Sequence, residues 1–153
     1  DTRKTTPGLR DLEKYAVLCG EGENHRRDLS DMVLIKDNHL LAKEHHLTLS
    51  TIVARVRSKT KKTIELEVDT LEQFKEALTA RPDIILLDNM NIKQLKQAVA
   101  LKKRARSQIL LEASGNVTLH SISQIAKTGV NRISIGQLTH SARSISFSME
   151  FVK

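Results

Sequence analysis

The chain has 153 residues, 39% of them hydrophobic and 28% charged, a balance that suits one soluble globular core. No apolar run approaches the ~18 residues a membrane-spanning helix needs, and no signal peptide opens the chain. A net charge of +7 leaves nucleic acid or acidic small molecules as partners, and an aromatic content of 3% counts against base stacking, so nucleic acid is the weaker reading.

The chain opens at Asp1-Thr2-Arg3-Lys4 without an initiator Met, which points to a processed chain or a fragment. Its single cysteine, Cys19, has no companion for a disulfide or a metal motif. A reducing cytoplasm and a packing role are expected for it.

In chain order, Met32-Val33-Leu34-Ile35 is the first short apolar run and predicts a buried strand. The cations Arg55, Arg57, Lys59, Lys61 and Lys62 read as a solvated helix face. A strand is predicted from Ile64 to Val68. Leu71, Phe74, Ala77 and Leu78 then recur at helical spacing behind an N-cap at Thr70. The pattern repeats with a strand over Ile84-Ile85-Leu86-Leu87 and a helix carrying Ile92, Leu95, Ala98 and Val99 behind Asn91. That helix runs into a second solvated cationic group at Lys102, Lys103, Arg104 and Arg106. Ile109-Leu110-Leu111 is the next strand, and a helix from Thr118 carries Leu119, Ile122, Ile125 and Ala126 up to a stop at Gly129. Ile133-Ser134-Ile135 is a further strand. Ile145, Phe147, Met149 and Phe151 alternate as a final strand with one apolar face, whose exposure would promote association.

Strands alternating with helices predict an α/β fold of parallel units, read as a single domain over residues 1–153. An open doubly wound sheet and a barrel both fit that alternation. Glu65, Glu67 and Asp69 alternate with apolar residues, and acids on one face of a parallel strand require a polar interior. The expectation is therefore an incomplete (β/α) barrel that lacks its beginning.

Lys36, Asp88 and the run Glu112-Ala113-Ser114-Gly115 follow apolar strands, at the end where barrel enzymes place their sites. Arg3, Lys4, His25, Arg26 and Lys36 form a cationic set suited to a ligand with more than one anionic group. Taken singly, each reads better as a surface cation, and a lone histidine as a structural one. Glu67 and Asp88 come from neighbouring strands and suit Mg²⁺ beside a phosphate ligand, directly or through water. Either acid reads equally well as structural. Ser114-Gly115-Asn116 and Gly136 with Thr139-His140-Ser141 are small-residue turns that favour phosphate. His45-His46 are adjacent and lack zinc-ligand spacing.

The segment Asp1-Thr2-Arg3-Lys4-Thr5-Thr6-Pro7-Gly8-Leu9-Arg10 resembles the signature of quinolinate phosphoribosyltransferases. Glu13-Lys14-Tyr15-Ala16-Val17, Asn24-His25-Arg26 and Val33-Leu34-Ile35-Lys36-Asp37-Asn38-His39 continue the likeness. Glu65 to Thr70, Leu87-Asp88-Asn89-Met90, Glu112 to Asn116 and Gly136 to Ser141 complete it in order and spacing.

The resemblance implies an open seven-stranded α/β barrel joined to an N-terminal α/β sandwich domain that this chain does not contain. It implies a homodimer whose partner covers the site and lends an Arg from that domain. It implies an NAD-biosynthetic transfer from phosphoribosyl pyrophosphate to quinolinate with decarboxylation, giving nicotinate mononucleotide. By position, Arg3, Lys4, His25, Arg26 and Lys36 hold the quinolinate carboxylates. Glu67 and Asp88 meet the ribose hydroxyls and Mg²⁺. Ser114, Gly115, Asn116, Gly136 and His140 cradle the 5′-phosphate. Lys4, Lys36, Glu67 and Asp88 are the catalytic candidates, with the two lysines offsetting ring charge as CO₂ leaves.

Three positions depart from the family pattern. Glu21 and Glu23 place acids beside a cationic pocket, and Asn116 stands where glycine is common. A molybdenum-transport-associated relative shares the opening signature, and a non-catalytic remnant binding a partner through its basic surface is the alternative of a different class.

Overall fold

The computed structural model describes residues 1–36 and 47–151. Asp37, Asn38 and His39 of the signature, and the His45-His46 pair, lie outside the described residues. The elements are α1 (Arg10–Cys19), β1 (Val33–Ile35), α2 (Leu49–Lys59), β2 (Ile64–Val68), α3 (Leu71–Ala80), β3 (Ile84–Asp88), α4 (Ile92–Arg104), β4 (Leu110–Ser114), α5 (Ile122–Ala126), β5 (Arg132–Ile133) and α6 (Gln137–His140).

All strands pair in parallel, in the order β1-β2-β3-β4-β5. A doubly wound sheet reverses its strand order at a switch point, and this one never does. It winds in one direction and its edge strands, β1 and β5, do not pair with each other, so the incomplete barrel stands.

Local chemistry sets the helix starts. Thr70 with Gln73, and Asn91 with Gln94, form capping boxes at α3 and α4, and Thr48 caps α2. A cap of this kind contributes about 1 kcal/mol. Lys102, Lys103 and Arg104 complement the carbonyl end of α4. The two cationic groups are solvent-exposed except Lys102, whose half-buried ammonium donates to Asn131 Oδ1.

Register divides the sheet into two chemical faces. Ile35, Leu66, Val68, Ile85, Leu87, Leu111 and Ala113 point outward and pack with Val53, Phe74, Leu95 and Ala98 of the helices. That layer is the hydrophobic core. Pairing places Glu67 beside Leu86, Leu86 beside Glu112, and Asp88 beside Ser114, so these side chains share the inner face. The acidic alternation of β2 therefore faces the barrel interior, as its period of two requires.

Two expectations fail. Leu119 does not join a helix from Thr118: it is 91% exposed, and α5 begins only at Ile122. Thr118 and Ser121 bond reciprocally, each backbone N–H donating to the other's hydroxyl, and this turn holds the helix start back. The expected final strand is also absent. Residues 142–151 have no regular structure, and Phe147, Met149 and Phe151 are 91%, 89% and 97% exposed. Among the described residues no strand pairs with this segment, and alternation alone cannot supply ladder bonds.

Candidate functional site

The C-terminal strand ends and the opening segment meet at one mouth. A cavity of about 350 Å³ is lined by Thr2, Lys4, Asp88, Asn89, Ser114, Gly115, Asn116, Ser134, Gly136 and His140, among others. Six predicted positions besides Lys4 thus converge: Asp88, Ser114, Gly115, Asn116, Gly136 and His140. Thr139, buried on α6, draws the opening segment in by donating its hydroxyl to the Lys4 carbonyl at 2.7 Å.

The β4 loop is shaped by close approach. Gly115 has φ +95°, and an added Cβ would lie 2.1 Å from Asn89 Oδ1 and 2.9 Å from Asn89 N. Asn116, at φ 48°, adopts the left-handed conformation asparagine tolerates. Its amide donates to Asn89 Oδ1 at 3.2 Å, while Asn89 donates to Asp88 Oδ2 at 2.6 Å and, from its backbone, to the Ser114 carbonyl at 2.9 Å. Asn89 therefore ties the acid of β3 to the loop of β4. A Cβ at Gly136 would sit 2.9 Å from His140 Nε2, so the exposed ring would have to shift.

The remaining predicted residues lie beside this cavity. Lys36 Nζ is 2.9 Å from Glu67 Oε2, which joins β1 to β2 at the mouth. Neither lines the cavity that holds Asp88. Arg3 is half-buried, with a Nε that no hydrogen bond reaches. Burial, and then the charge of Arg3, hold the Arg26 guanidinium below its usual range, with Glu65 opposing. The Glu21 and Glu23 side chains are exposed, so neither acid is buried in this set.

His25 is expected to hold a substrate carboxylate, yet one ring nitrogen is hydrogen-bonded within the protein and the other lies against two acids. Nδ1 accepts the Arg26 backbone N–H at 2.9 Å. Nε2 lies 3.0 Å from Glu65 Oε2 and 3.4 Å from Glu112 Oε1. Glu112 stands in the strand-end run singled out in the sequence, though without a ligand role, and Glu65 is not singled out as a site residue, although its parity with Glu67 on β2 signals it. Glu112 also accepts a short hydrogen bond from Ser134 Oγ.

The loop carrying His25 hangs on a buried ion pair. Lys14 Nζ is 2.8 Å from Asp1 Oδ1 and donates to the His25 carbonyl at 3.0 Å, and Asp1 Oδ1 also accepts the His25 N–H at 2.7 Å. With its nitrogen turned inward, the Asn24 amide donates to Asp1 Oδ2 at 2.8 Å.

Burial, and then the charge of Glu65, push the Glu112 carboxyl above its ordinary value of 4.5. Between its unfolded and folded values the native state binds the extra proton, so stability from this group is lost as pH rises through that window. Glu112→Gln should flatten that decline on the alkaline side of pH 4.5, read as melting temperature against pH. An unchanged slope would remove Glu112 as its source.

Residues 1–150 match the model of the quinolinate phosphoribosyl transferase C-terminal domain. The chain is 45% identical over 150 residues to a Bacillus subtilis protein named probable carboxylating nicotinate-nucleotide pyrophosphorylase, covering 98% of this chain and 50% of that one. A Mycobacterium leprae protein of the same name without "probable" is 42% identical, with 98% and 52% covered. The crystal structure of NadC from Streptococcus pyogenes superposes with a TM-score of 0.84 at 45% identity, covering 99% of this chain and 52% of that one. The chain thus spans about half the length of the curated relatives it matches. Among the described residues, no helix is long and apolar enough to cross a membrane.

Proposed function

Because this chain belongs to the quinolinate phosphoribosyltransferase family, matching its C-terminal domain, we propose that the protein containing it makes nicotinate mononucleotide in the cytoplasm. The ring nitrogen of quinolinate displaces pyrophosphate from the anomeric carbon of phosphoribosyl pyrophosphate, and the adjacent carboxylate leaves as CO₂. The observation that carries this reading is the 350 Å³ cavity, in which Lys4 and Asp88 meet the two small-residue loops. A phosphorylated sugar needs such a set: N–H-rich turns for phosphate, with acid and cation within reach.

No side-chain nucleophile is required. Ser114, Gly115, Asn116, Gly136 and His140 bind the 5′-phosphate, and Arg3, Arg26, Lys4 and Lys36 orient the diacid. Orientation of this kind can contribute several kcal/mol to the barrier reduction. Lys36, held beside Glu67, and Lys4 offset the charge left on the ring as CO₂ departs.

The hard oxygen donors of Glu67 and Asp88 fit Mg²⁺, and Asn89 holds Asp88 oriented at the mouth. When bound, the ion supplies charge neutralisation for the departing pyrophosphate. A homodimer completes the reading, since the relatives are about twice this chain's length and the family resemblance implies that a partner covers the site.

The test uses the longer protein with quinolinate, phosphoribosyl pyrophosphate and Mg²⁺. CO₂ and nicotinate mononucleotide should appear in equal amounts. Asp88→Asn should lower kcat/KM for phosphoribosyl pyrophosphate by about 100-fold, roughly 2.7 kcal/mol. Wild-type protein that binds neither substrate at millimolar concentration would overturn the assignment.

A further inference from the structure

Glu65 and Glu112 have no part in the proposed reaction, yet they are fully or nearly buried at the heart of the inner face, at 0% and 2% exposure. Neither Glu65 oxygen, nor Glu112 Oε2, has an aligned hydrogen bond. Buried carboxyl oxygens without donors are costly, so a polar neighbour matters to them. His25 Nε2 is that neighbour, 3.0 Å from Glu65 and 3.4 Å from Glu112.

The proton on the ring can be placed from its other nitrogen. Nδ1 accepts the Arg26 backbone N–H at 2.9 Å and so carries no hydrogen. The ring hydrogen then sits on Nε2, the nitrogen that lies beside the two acids, instead of setting lone pair against lone pair. We infer that Glu65 and Glu112 are positioning residues that lock His25 as the neutral Nε2–H tautomer. Through Nδ1 the locked ring fixes the Arg26 backbone, and so where its guanidinium presents itself to substrate.

The inference rests on the reading of Arg26 as a quinolinate ligand, and it changes the part His25 plays. The ring acts through Arg26 and carries no charge to the diacid. Each neighbouring charge has a place in the arrangement. The His25 N–H and carbonyl are held by Asp1 and Lys14, Arg26 feels both Arg3 and Glu65, Glu112 feels Arg132 and the Asp1 ammonium, and Ser134 bonds Glu112. The same three side chains offer ligand atoms within 4.8 Å of one another, a set a divalent cation also accepts. Arg26 and Glu65 also feel each other's charge.

Ring ¹⁵N spectroscopy of this chain at neutral pH tests the tautomer directly. His25 should show Nδ1 in the unprotonated range and Nε2 in the protonated range. A protonated Nδ1, an imidazolium, or a ring shift on adding equimolar Zn²⁺ would overturn the proposal. In Glu65→Gln, and separately in Glu112→Gln, the two ring shifts should move towards each other. Unchanged ring shifts in both folded variants would equally refute it. In the longer protein, Glu65→Gln should raise KM for quinolinate roughly three- to tenfold and leave KM for phosphoribosyl pyrophosphate unchanged. Loss of both together would point to a merely structural role. A wild-type protein without turnover, but with the expected ring shifts, would sink the functional reading and leave the tautomer standing.

Discussion

Lys14→Met should lower the melting temperature by roughly 6–20 °C, because it leaves the Asp1 carboxylate buried without its cation. The two side chains are 5% and 0% exposed and 2.8 Å apart, so solvent cannot replace the lost partner. Removing one member of a buried pair typically costs about 3–5 kcal/mol. A domain near this size loses about 2–4 °C for each kcal/mol. The same substitution frees the His25 carbonyl and weakens the hold on the loop that presents Arg26. Combining it with Asp1→Asn should recover part of the loss, since no uncompensated charge then remains. Thermal unfolding followed by circular dichroism reads both effects, and a shift under 2 °C for Lys14→Met would show that the pair is not structural.

Gly115→Ala is the second large effect, and it acts on phosphate rather than on the fold. Residue 115 holds φ +95°, a region that strains any residue with a Cβ by roughly 1–3 kcal/mol. The new methyl would also press on Asn89, whose side chain can rotate away but whose backbone nitrogen, 2.9 Å off, cannot. Relief must come from the loop, which carries the Ser114 and Asn116 groups that face the cavity. Binding of phosphoribosyl pyrophosphate by the longer protein should weaken about 10- to 100-fold, roughly 1.4–2.7 kcal/mol, as measured by calorimetry. Adding Asn89→Ala removes the side-chain clash but leaves the backbone strain, so recovery should be partial. Unaltered affinity in Gly115→Ala would mean that the loop does not touch the phosphate.

Much of the site is legible in the chain because its residues sit at the ends of regular elements. Ile64 to Val68 and Ile84 to Leu87 are β-rich runs of strand length, and whatever follows a parallel strand lands at the mouth. Asp88, Ser114 and Gly115 are found in that way. Thr70 and Asn91 are legible for a related reason, since a cap bonds only three residues ahead. Leu119 and the run Ile145 to Phe151 misled because periodicity states which face is apolar and not whether anything packs there. At Thr118 a side-chain turn outcompeted the helix.

By itself the sequence determined the alternation of parallel β/α units, the acidic inner face of β2, the strand-end candidates and the family resemblance. Each depends on spacing over a few residues or on ordered motifs along the chain. Only the tertiary structure decided that the sheet winds without reversal, that Gly136 lies close to the His140 ring, and that Asn89 joins Asp88 to Asn116. It alone set the His25 ring between Glu65 and Glu112, and hung its loop on Asp1 and Lys14. These contacts join residues 11 to 87 positions apart, and their partners are chosen by strand register and sheet curvature. No local pattern along the chain encodes that choice.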